Sequence, residues 1–170
     1  VLNLFPFEKR FLQNFSVNSV FVGHPKASHI STNIDKLKYK LELDLDPDLK
    51  TLSFLPGSRK SEINAHLPVM IETINSLRKR GDYQFLIPLK NENEISRNLG
   101  NLKSKTFKIF IDKTDSVLAA TDIAVSVSGT ATLECLLNQA PPVVCYKTNF
   151  FNKFLLNQFL KTKYISLPNT

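Results

Sequence analysis

The chain has 170 residues, of which 42% are hydrophobic and 22% are charged, a composition that allows a folded domain with a hydrophobic core. The formal net charge of +7 predicts an acidic partner: a nucleic acid, an anionic membrane surface or a phosphorylated substrate. No apolar run approaches the roughly 20 residues of a membrane-spanning helix.

Two thiols, Cys135 and Cys145, lie in apolar stretches without metal-ligand spacing. They favour a reduced, cytoplasmic protein over a disulfide scaffold. The chain begins at Val1 and ends at Thr170 without a charged tail, from which we expect a fragment of a longer protein.

Apolar spacing in the first third predicts a strand end within residues 1–7 and a helix at 8–15. A short strand is expected at 17–22, before a break at Gly23-His24-Pro25. Residues 31–50 are polar and carry only a weak helical pattern, so they are interpreted as a solvated connection.

From Thr51 onward, short apolar runs alternate with helical patterns. Strands are predicted at 51–55, 83–89, 107–111, 123–127, within 141–146 and at 164–169. Helices are predicted from about 61 to 80 and at 91–99, 114–120, from about 130 and at 150–160. This order predicts an α/β fold, a Rossmann-like parallel sheet with helices on both faces.

The helix from about residue 61 has apolar residues at steps of four, three, four and three, which predicts one buried face. These residues are Ile63, Leu67, Met70, Ile74 and Leu77. Pro68 is expected to kink or restart this helix, because proline removes a backbone hydrogen bond. Thr114 or Asp115 is expected to cap the helix at 114–120.

The strand at 123–127 runs into Ser128-Gly129-Thr130, where a helix begins. Small residues let a ligand approach the backbone, and the N–H groups of a helix start suit a phosphate. Ser128, Thr130 and Thr132 add hydroxyl donors, and Glu134 can accept from a sugar hydroxyl. The pattern indicates a nucleotide-diphosphate site, and the alternative is an N-cap on an ordinary helix.

A second turn, Pro56-Gly57-Ser58-Arg59, follows the strand at 51–55. Arginine makes forked contacts with phosphate oxygens. A cation at a helix start is unfavourable because it opposes the helix dipole, so Arg59 at this position suggests that an anion lies nearby. Alternatively, Arg59 is a surface residue. Both turns follow strands of a parallel sheet, so they share its ligand-binding edge.

Other chemistries fit the sequence poorly. It lacks the phosphate-binding loop of P-loop enzymes, the glycine fingerprint of dinucleotide dehydrogenases and the nucleophile elbow of hydrolases. His24, His29 and His66 lack metal-ligand spacing, and the aspartates at 44, 46 and 48 lack the glycine and glutamate of a calcium loop.

Five segments occur in the order seen in the lipid-A-disaccharide synthase family, which the chain resembles over nearly its whole length. They are Phe5-Pro6-Phe7-Glu8, Phe21-Val22-Gly23-His24-Pro25, Leu55-Pro56-Gly57-Ser58-Arg59-Lys60-Ser61-Glu62-Ile63, Ser128-Gly129-Thr130-Ala131-Thr132-Leu133-Glu134 and Ser166-Leu167-Pro168-Asn169. The resemblance implies a GT-B glycosyltransferase, in which two Rossmann-like domains face a cleft. Residues 1–22 would end the acceptor domain, and 23–170 would form the UDP-sugar (donor) domain without its final helix.

The resemblance implies transfer of diacylglucosamine from UDP-diacylglucosamine to diacylglucosamine 1-phosphate, at the cytoplasmic face of the Gram-negative inner membrane. No metal or cofactor is implied. The donor would be bound by Gly57, Ser58, Arg59, Ser128, Gly129, Thr130, Ala131, Thr132, Glu134 and Asn169. Arg59 would stabilise the leaving group, and the base would lie in the acceptor domain before Val1. We therefore expect this chain alone to bind UDP weakly and not to turn over.

The membrane surface would account for the positive charge. Phenylalanines and lysines between 150 and 163 form either a membrane-facing patch or a core helix with a solvated side. Two rival functions stay open. One is another GT-B enzyme, a hexosamine 2-epimerase or the peptidoglycan glucosaminyltransferase. The other is a basic nucleic-acid-binding module, although its aromatic signatures are absent and we expect no nucleic-acid partner.

Overall fold

The computed structural model describes residues 1–25, 33–91 and 106–147. It divides the chain into two compact units, Val1–Asn33 and Ile34–Thr170. Three sequence predictions lie outside the described residues: nearly all of the helix at 91–99, the phenylalanine-rich helix at 150–160, and the last strand with Asn169.

The first unit contains two short parallel strands, β1 (Leu2–Asn3) and β2 (Val20–Phe21), connected by helix α1 (Pro6–Gln13). A carboxylate oxygen of Glu8 accepts hydrogen bonds from the backbone N–H groups of Leu4 and Phe5, both at 2.9 Å. Because proline suits the first helical position, α1 begins two residues earlier than its apolar spacing predicted.

From Lys50 onward the second unit follows the predicted order of strands and helices. Before it, the interpretation of residues 31–50 as a solvated connection is wrong, because a helix lies at Lys36–Glu42 and Leu43 and Leu45 after it are buried. The elements of the second unit are α2 (Lys36–Glu42), β3 (Lys50–Leu55), α3 (Lys60–Leu77), β4 (Tyr83–Leu89), β5 (Lys108–Ile111), α4 (Thr114–Ala119), β6 (Ile123–Val127), α5 (Thr130–Leu137) and β7 (Pro142–Cys145). The five strands form one parallel sheet in the order β5-β4-β3-β6-β7, which confirms the predicted α/β parallel sheet.

Alternate side chains of the central strands enter cores on opposite faces of the sheet. Phe54 of β3 and Ile87 of β4 pack with the apolar face of α3. Leu86 packs with Val117 of α4, and Leu55 packs with Cys135 of α5. Helices therefore cover both faces, which explains why β3 and β4 are almost continuously buried.

Two local predictions differ from the structure. Helix α3 continues through Pro68 as one element of 18 residues, so the predicted restart there is wrong, while the predicted kink stays a prediction. Pro68 and Asn64 are both exposed, so the backbone bond that proline removes lies on the solvent side, where its loss costs least. The N-cap of α4 is Lys113 rather than Thr114 or Asp115, and the Lys113 side chain makes no capping hydrogen bond.

Across the ranges that the structure describes, no helix combines the length and apolarity that crossing a bilayer requires.

Candidate functional site

The two glycine turns leave neighbouring strands. In the parallel register, Leu55 of β3 pairs with Ser126 of β6, so these strands end side by side. The chain goes from β3 to β4 and β5 on one side of the sheet and then returns to β6 on the other. This reversal of direction is a topological switch point, where open α/β sheets bind ligands. The predicted convergence of the two turns on one edge is therefore found.

A cleft of about 490 Å³ lies at this edge, within the roughly 300–1,000 Å³ range of ligand pockets. Its lining comes from the turns after β3, β4 and β6 and from the starts of α3, α4 and α5. The lining residues are Leu55, Gly57, Ser58, Arg59, Glu62, Pro88, Leu89, Lys90, Thr114, Val127, Ser128, Gly129, Thr130, Ala131 and Glu134.

The turn after β6 brings backbone donors to the cleft. Gly129 is the N-cap of α5 and has φ +150°, a conformation open to glycine because it lacks Cβ. The first N–H groups of an α-helix have no partner within the helix, so this start can donate to an anion. Glu134, one turn further along, is half-buried in the same cleft wall.

Thr132 does not line the cleft. Its side chain is buried, and its hydroxyl donates to the carbonyl oxygen of Gly129 at 2.6 Å. The backbone N–H of Thr132 donates to the same carbonyl at 3.2 Å. Thr132 therefore holds the turn in shape, while Ser128, Thr130 and Ala131 face the open space.

The turn after β3 already contains an anion, the carboxylate of Glu62. One oxygen, Oε2, accepts from the backbone N–H groups of Ser58 at 3.0 Å and Arg59 at 3.2 Å. The other oxygen, Oε1, lies 2.7 Å from Nη1 of Arg59. The anion that Arg59 led us to expect is thus present within the chain itself.

Burial raises the pKa of Glu62, but hydrogen bonds from the Arg59 side chain and from the Ser58 and Arg59 backbone, together with the charge of Arg59, outweigh it. The pKa of Glu62 is therefore below its ordinary value, and the carboxylate is ionised at neutral pH. Gly57 is required beside it, because a Cβ there would lie 2.6 Å from both Cβ and Oε2 of Glu62.

Sequence reasoning missed three polar residues of the cleft: Glu62, Lys90 and Thr114. Lys90 follows β4, and Thr114 begins α4 just after β5. Both therefore lie at the carboxyl ends of strands, the ligand-binding edge that had already located the two glycine turns. Glu62 is the third residue of its helix, where a carboxylate reaches back to the N-cap N–H. Among residues 1–25, 33–91 and 106–147, no three His, Cys, Asp or Glu side chains cluster as metal ligands.

A parallel sheet with glycine turns and a cleft at its switch point defines a Rossmann-like ligand-binding domain. Comparison with known proteins gives the family. The profile of the family described as lipid-A-disaccharide synthetase matches residues 1–170, and the chain belongs to that family. This finding confirms the resemblance seen in the sequence.

Curated relatives agree with this assignment. The chain is similar to proteins named lipid-A-disaccharide synthase from Hahella chejuensis and Vibrio campbellii, each 38% identical over 174 residues. A protein of the same name from Wigglesworthia glossinidia brevipalpis is 36% identical over 176 residues. These alignments cover 99% of this chain but only 44%, 46% and 45% of the three relatives, so the chain spans less than half of their length.

Proposed function

We propose that this chain is the donor-binding half of a GT-B glycosyltransferase. The complete enzyme transfers diacylglucosamine from UDP-diacylglucosamine to diacylglucosamine 1-phosphate, giving a lipid A disaccharide precursor and UDP. In this proposal residues 1–22 belong to the end of the acceptor domain and 23–170 to the donor domain. The observation that carries the proposal is the shared cleft between two glycine turns at the switch point of the sheet.

The proposed chemistry follows from the charge that UDP gains as it leaves. Negative charge develops on the diphosphate while the bond to the sugar breaks, and fixed dipoles or cations next to it lower the barrier. The start of α5 supplies backbone N–H groups and the positive end of the helix dipole. Arg59 supplies a guanidinium in the same cleft, which supports a role in stabilising the leaving group.

Glu134 is proposed to hold the ribose. It lies one helical turn beyond the diphosphate-binding turn, and a carboxylate accepts hydrogen bonds from two neighbouring hydroxyl groups readily. The catalytic base is proposed to come from the acceptor domain. Glu62 is a poor base, because its ionised carboxylate is already bonded to three donors.

The proposed substrates carry phosphate and acyl chains, and the complete enzyme is proposed to act at the cytoplasmic face of the inner membrane. The net charge of +7 supports contact with an anionic surface. The segment from 150 to 163 that was considered for membrane contact lies outside the described residues.

The function is tested in a chimera in which this chain replaces the matching segment of the Hahella chejuensis protein. Arg59→Ala is expected to lower kcat by roughly 10²- to 10³-fold, the usual effect of removing a group that stabilises transition-state charge. Glu134→Ala is expected to weaken UDP binding by about tenfold. Radiolabelled disaccharide formation and isothermal titration with UDP measure the two effects.

Matched controls come from α3 and its end. Glu72→Ala and Arg78→Ala make the same charge changes at exposed positions away from the cleft, and they should retain wild-type rates and affinity. If Arg59→Ala and Glu134→Ala behaved like these controls, the assigned roles would be wrong. Turnover with non-acylated UDP-N-acetylglucosamine in place of the diacylated donor would contradict the proposed substrate.

A further inference from the structure

Glu62 occupies the position that a bound phosphate would take at the start of α3. The backbone N–H groups of Ser58 and Arg59 and the guanidinium of Arg59 are the donors that such a phosphate would use, and all three are bonded to the Glu62 carboxylate at 2.7–3.2 Å. A second anion reaches these backbone donors only by displacing Glu62.

The surroundings hold this carboxylate in place. The Glu62 side chain is 21% exposed, while that of Arg59 is 79% exposed, so the guanidinium projects into solvent and the carboxylate is the more covered of the two groups. Gly57 at φ +113° lets the turn close over Glu62, with no room for even a Cβ between them. Ionised Glu62 is thus packed against the turn as well as hydrogen-bonded to it.

We propose that Glu62 decides where the donor diphosphate binds. By occupying the anion seat at the start of α3, defined as the backbone N–H groups of Ser58 and Arg59, Glu62 excludes phosphate from it. The diphosphate then takes its backbone donors from the start of α5. At the turn after β3 it contacts the Arg59 guanidinium alone, which Glu62 positions through Nη1. This inference rests on the proposed function, because it divides the donor site between the two turns.

The arrangement has a chemical consequence. Arginine carries five N–H donors, so a guanidinium bonded to Glu62 through Nη1 keeps others for a phosphate oxygen. Glu62 also repels a phosphate that approaches the turn after β3, which keeps the diphosphate at the α5 side of the cleft. The two glycine turns therefore have different tasks: one binds the diphosphate, and the other presents a cation to it.

The test follows backbone amides of the 170-residue chain by two-dimensional ¹H–¹⁵N NMR during titration with inorganic pyrophosphate, and then with UDP. In the wild-type chain we expect large shifts at the amides of Gly129, Thr130 and Ala131 and only small shifts at the amides of Ser58 and Arg59, because the diphosphate reaches this turn through the Arg59 side chain alone. In Glu62→Ala the seat is empty, so the Ser58 and Arg59 amides should shift as far as that of Gly129. Pyrophosphate affinity should then rise about tenfold, or about 1.4 kcal/mol.

Glu62→Gln is the matched control. Its amide oxygen can still accept from the two backbone N–H groups, so the seat stays occupied although the charge is gone. The Ser58 and Arg59 amides should again shift little, whereas a purely electrostatic effect of Glu62 would make Gln resemble Ala. Wild-type Ser58 and Arg59 amides that shift as far as that of Gly129 would overturn the proposal.

The two proposals fail in different ways. If no wild-type amide at either turn responds to pyrophosphate or UDP, the proposed donor site is wrong. Glu62→Ala then still tests whether Glu62 excludes phosphate from the anion seat. New pyrophosphate-dependent shifts at the Ser58 and Arg59 amides support that exclusion, and their absence overturns it.

Discussion

Asp122 connects the amino-terminal ends of β3 and β6, at the edge of the sheet opposite the cleft. Its Oδ2 accepts from the backbone N–H of Thr51 at 2.9 Å and lies 3.5 Å from Nζ of Lys40. Its Oδ1 lies 3.6 Å from Nζ of Lys36. Lys40 is buried at 8% exposure and also donates to the carbonyl of Leu49 at 2.7 Å. We expect Asp122→Asn to destabilise this chain, because it leaves the ammonium of Lys40 buried without its counter-charge.

The expected loss is about 2 kcal/mol of unfolding free energy. Removing one partner of a fully buried ion pair costs about 3–5 kcal/mol, but the Asp122 side chain is 31% exposed, so water replaces part of the attraction. The more exposed Lys36 adds about 0.2–1 kcal/mol. Asparagine can still accept from Thr51, and Asp122→Ala should therefore cost about 1 kcal/mol more than Asp122→Asn.

The difference in unfolding free energy between the wild type and Asp122→Asn should depend on pH. Burial raises the pKa of Asp122, but the hydrogen bond from Thr51 and the charges of Lys40 and Lys36 outweigh it, so the folded pKa is below the ordinary value. A lowered folded pKa stabilises the native state above the unfolded pKa of about 3.9, and the contribution disappears as the pH falls through the folded pKa. The gap between wild type and Asp122→Asn should be full at pH 6–7 and should shrink below about pH 4.

Urea unfolding followed by circular dichroism, repeated from pH 3 to pH 7, measures both effects. Glu42→Gln is the control, because it breaks an exposed pair with Lys38 at 3.8 Å that is worth about 0.3–0.5 kcal/mol. An Asp122→Asn variant as stable as Glu42→Gln at pH 7, or a gap that does not change with pH, would refute the reasoning.

Two further predictions concern the cleft and the thiols. Gly57→Ala should destabilise the chain by about 1–3 kcal/mol through backbone strain, and by more through overlap with Glu62. Gly129→Ala, which has no atom within 4 Å of its new Cβ, should show the strain alone, so equal losses in thermal unfolding would contradict the overlap. Burial and the charge of Glu134 raise the pKa of Cys135 to about 12, and burial raises the pKa of the half-buried Cys145. A thiol reagent at pH 8 should therefore label Cys145 slowly and Cys135 only after unfolding, because the thiolate is the reactive form. Mass spectrometry of the labelled peptides checks this order, and labelling of Cys135 before Cys145 would contradict the prediction that burial protects the Cys135 thiol.

Apolar periodicity predicted the strands and helices of the second unit well, because the apolar residues of each helix repeat on the one face that the sheet buries. The residues Ile63, Leu67, Met70 and Ile74 recur on one helical face, and that face is the one the structure buries. The strand at Ile123–Val127 has the predicted bounds. The capping residue was harder to predict, since a cap depends on one local hydrogen bond. Helix α4 begins at the predicted Thr114, but its N-cap is Lys113, whose side chain makes no capping hydrogen bond.

The sequence by itself determined that this chain is a parallel α/β domain, that glycine turns follow two of its strands, and that it resembles one glycosyltransferase family. These properties follow from patterns of residues that are close together in the sequence, so they can be predicted without knowing which strands are neighbours in the sheet. Only the tertiary structure decided that β3 and β6 lie side by side, so that the turns after them open on one cleft. It also decided that Glu62 occupies the donors of one turn, while Thr132 points away from the cleft. Strand order and side-chain direction depend on long-range packing, and a single sequence carries no separate signal for either.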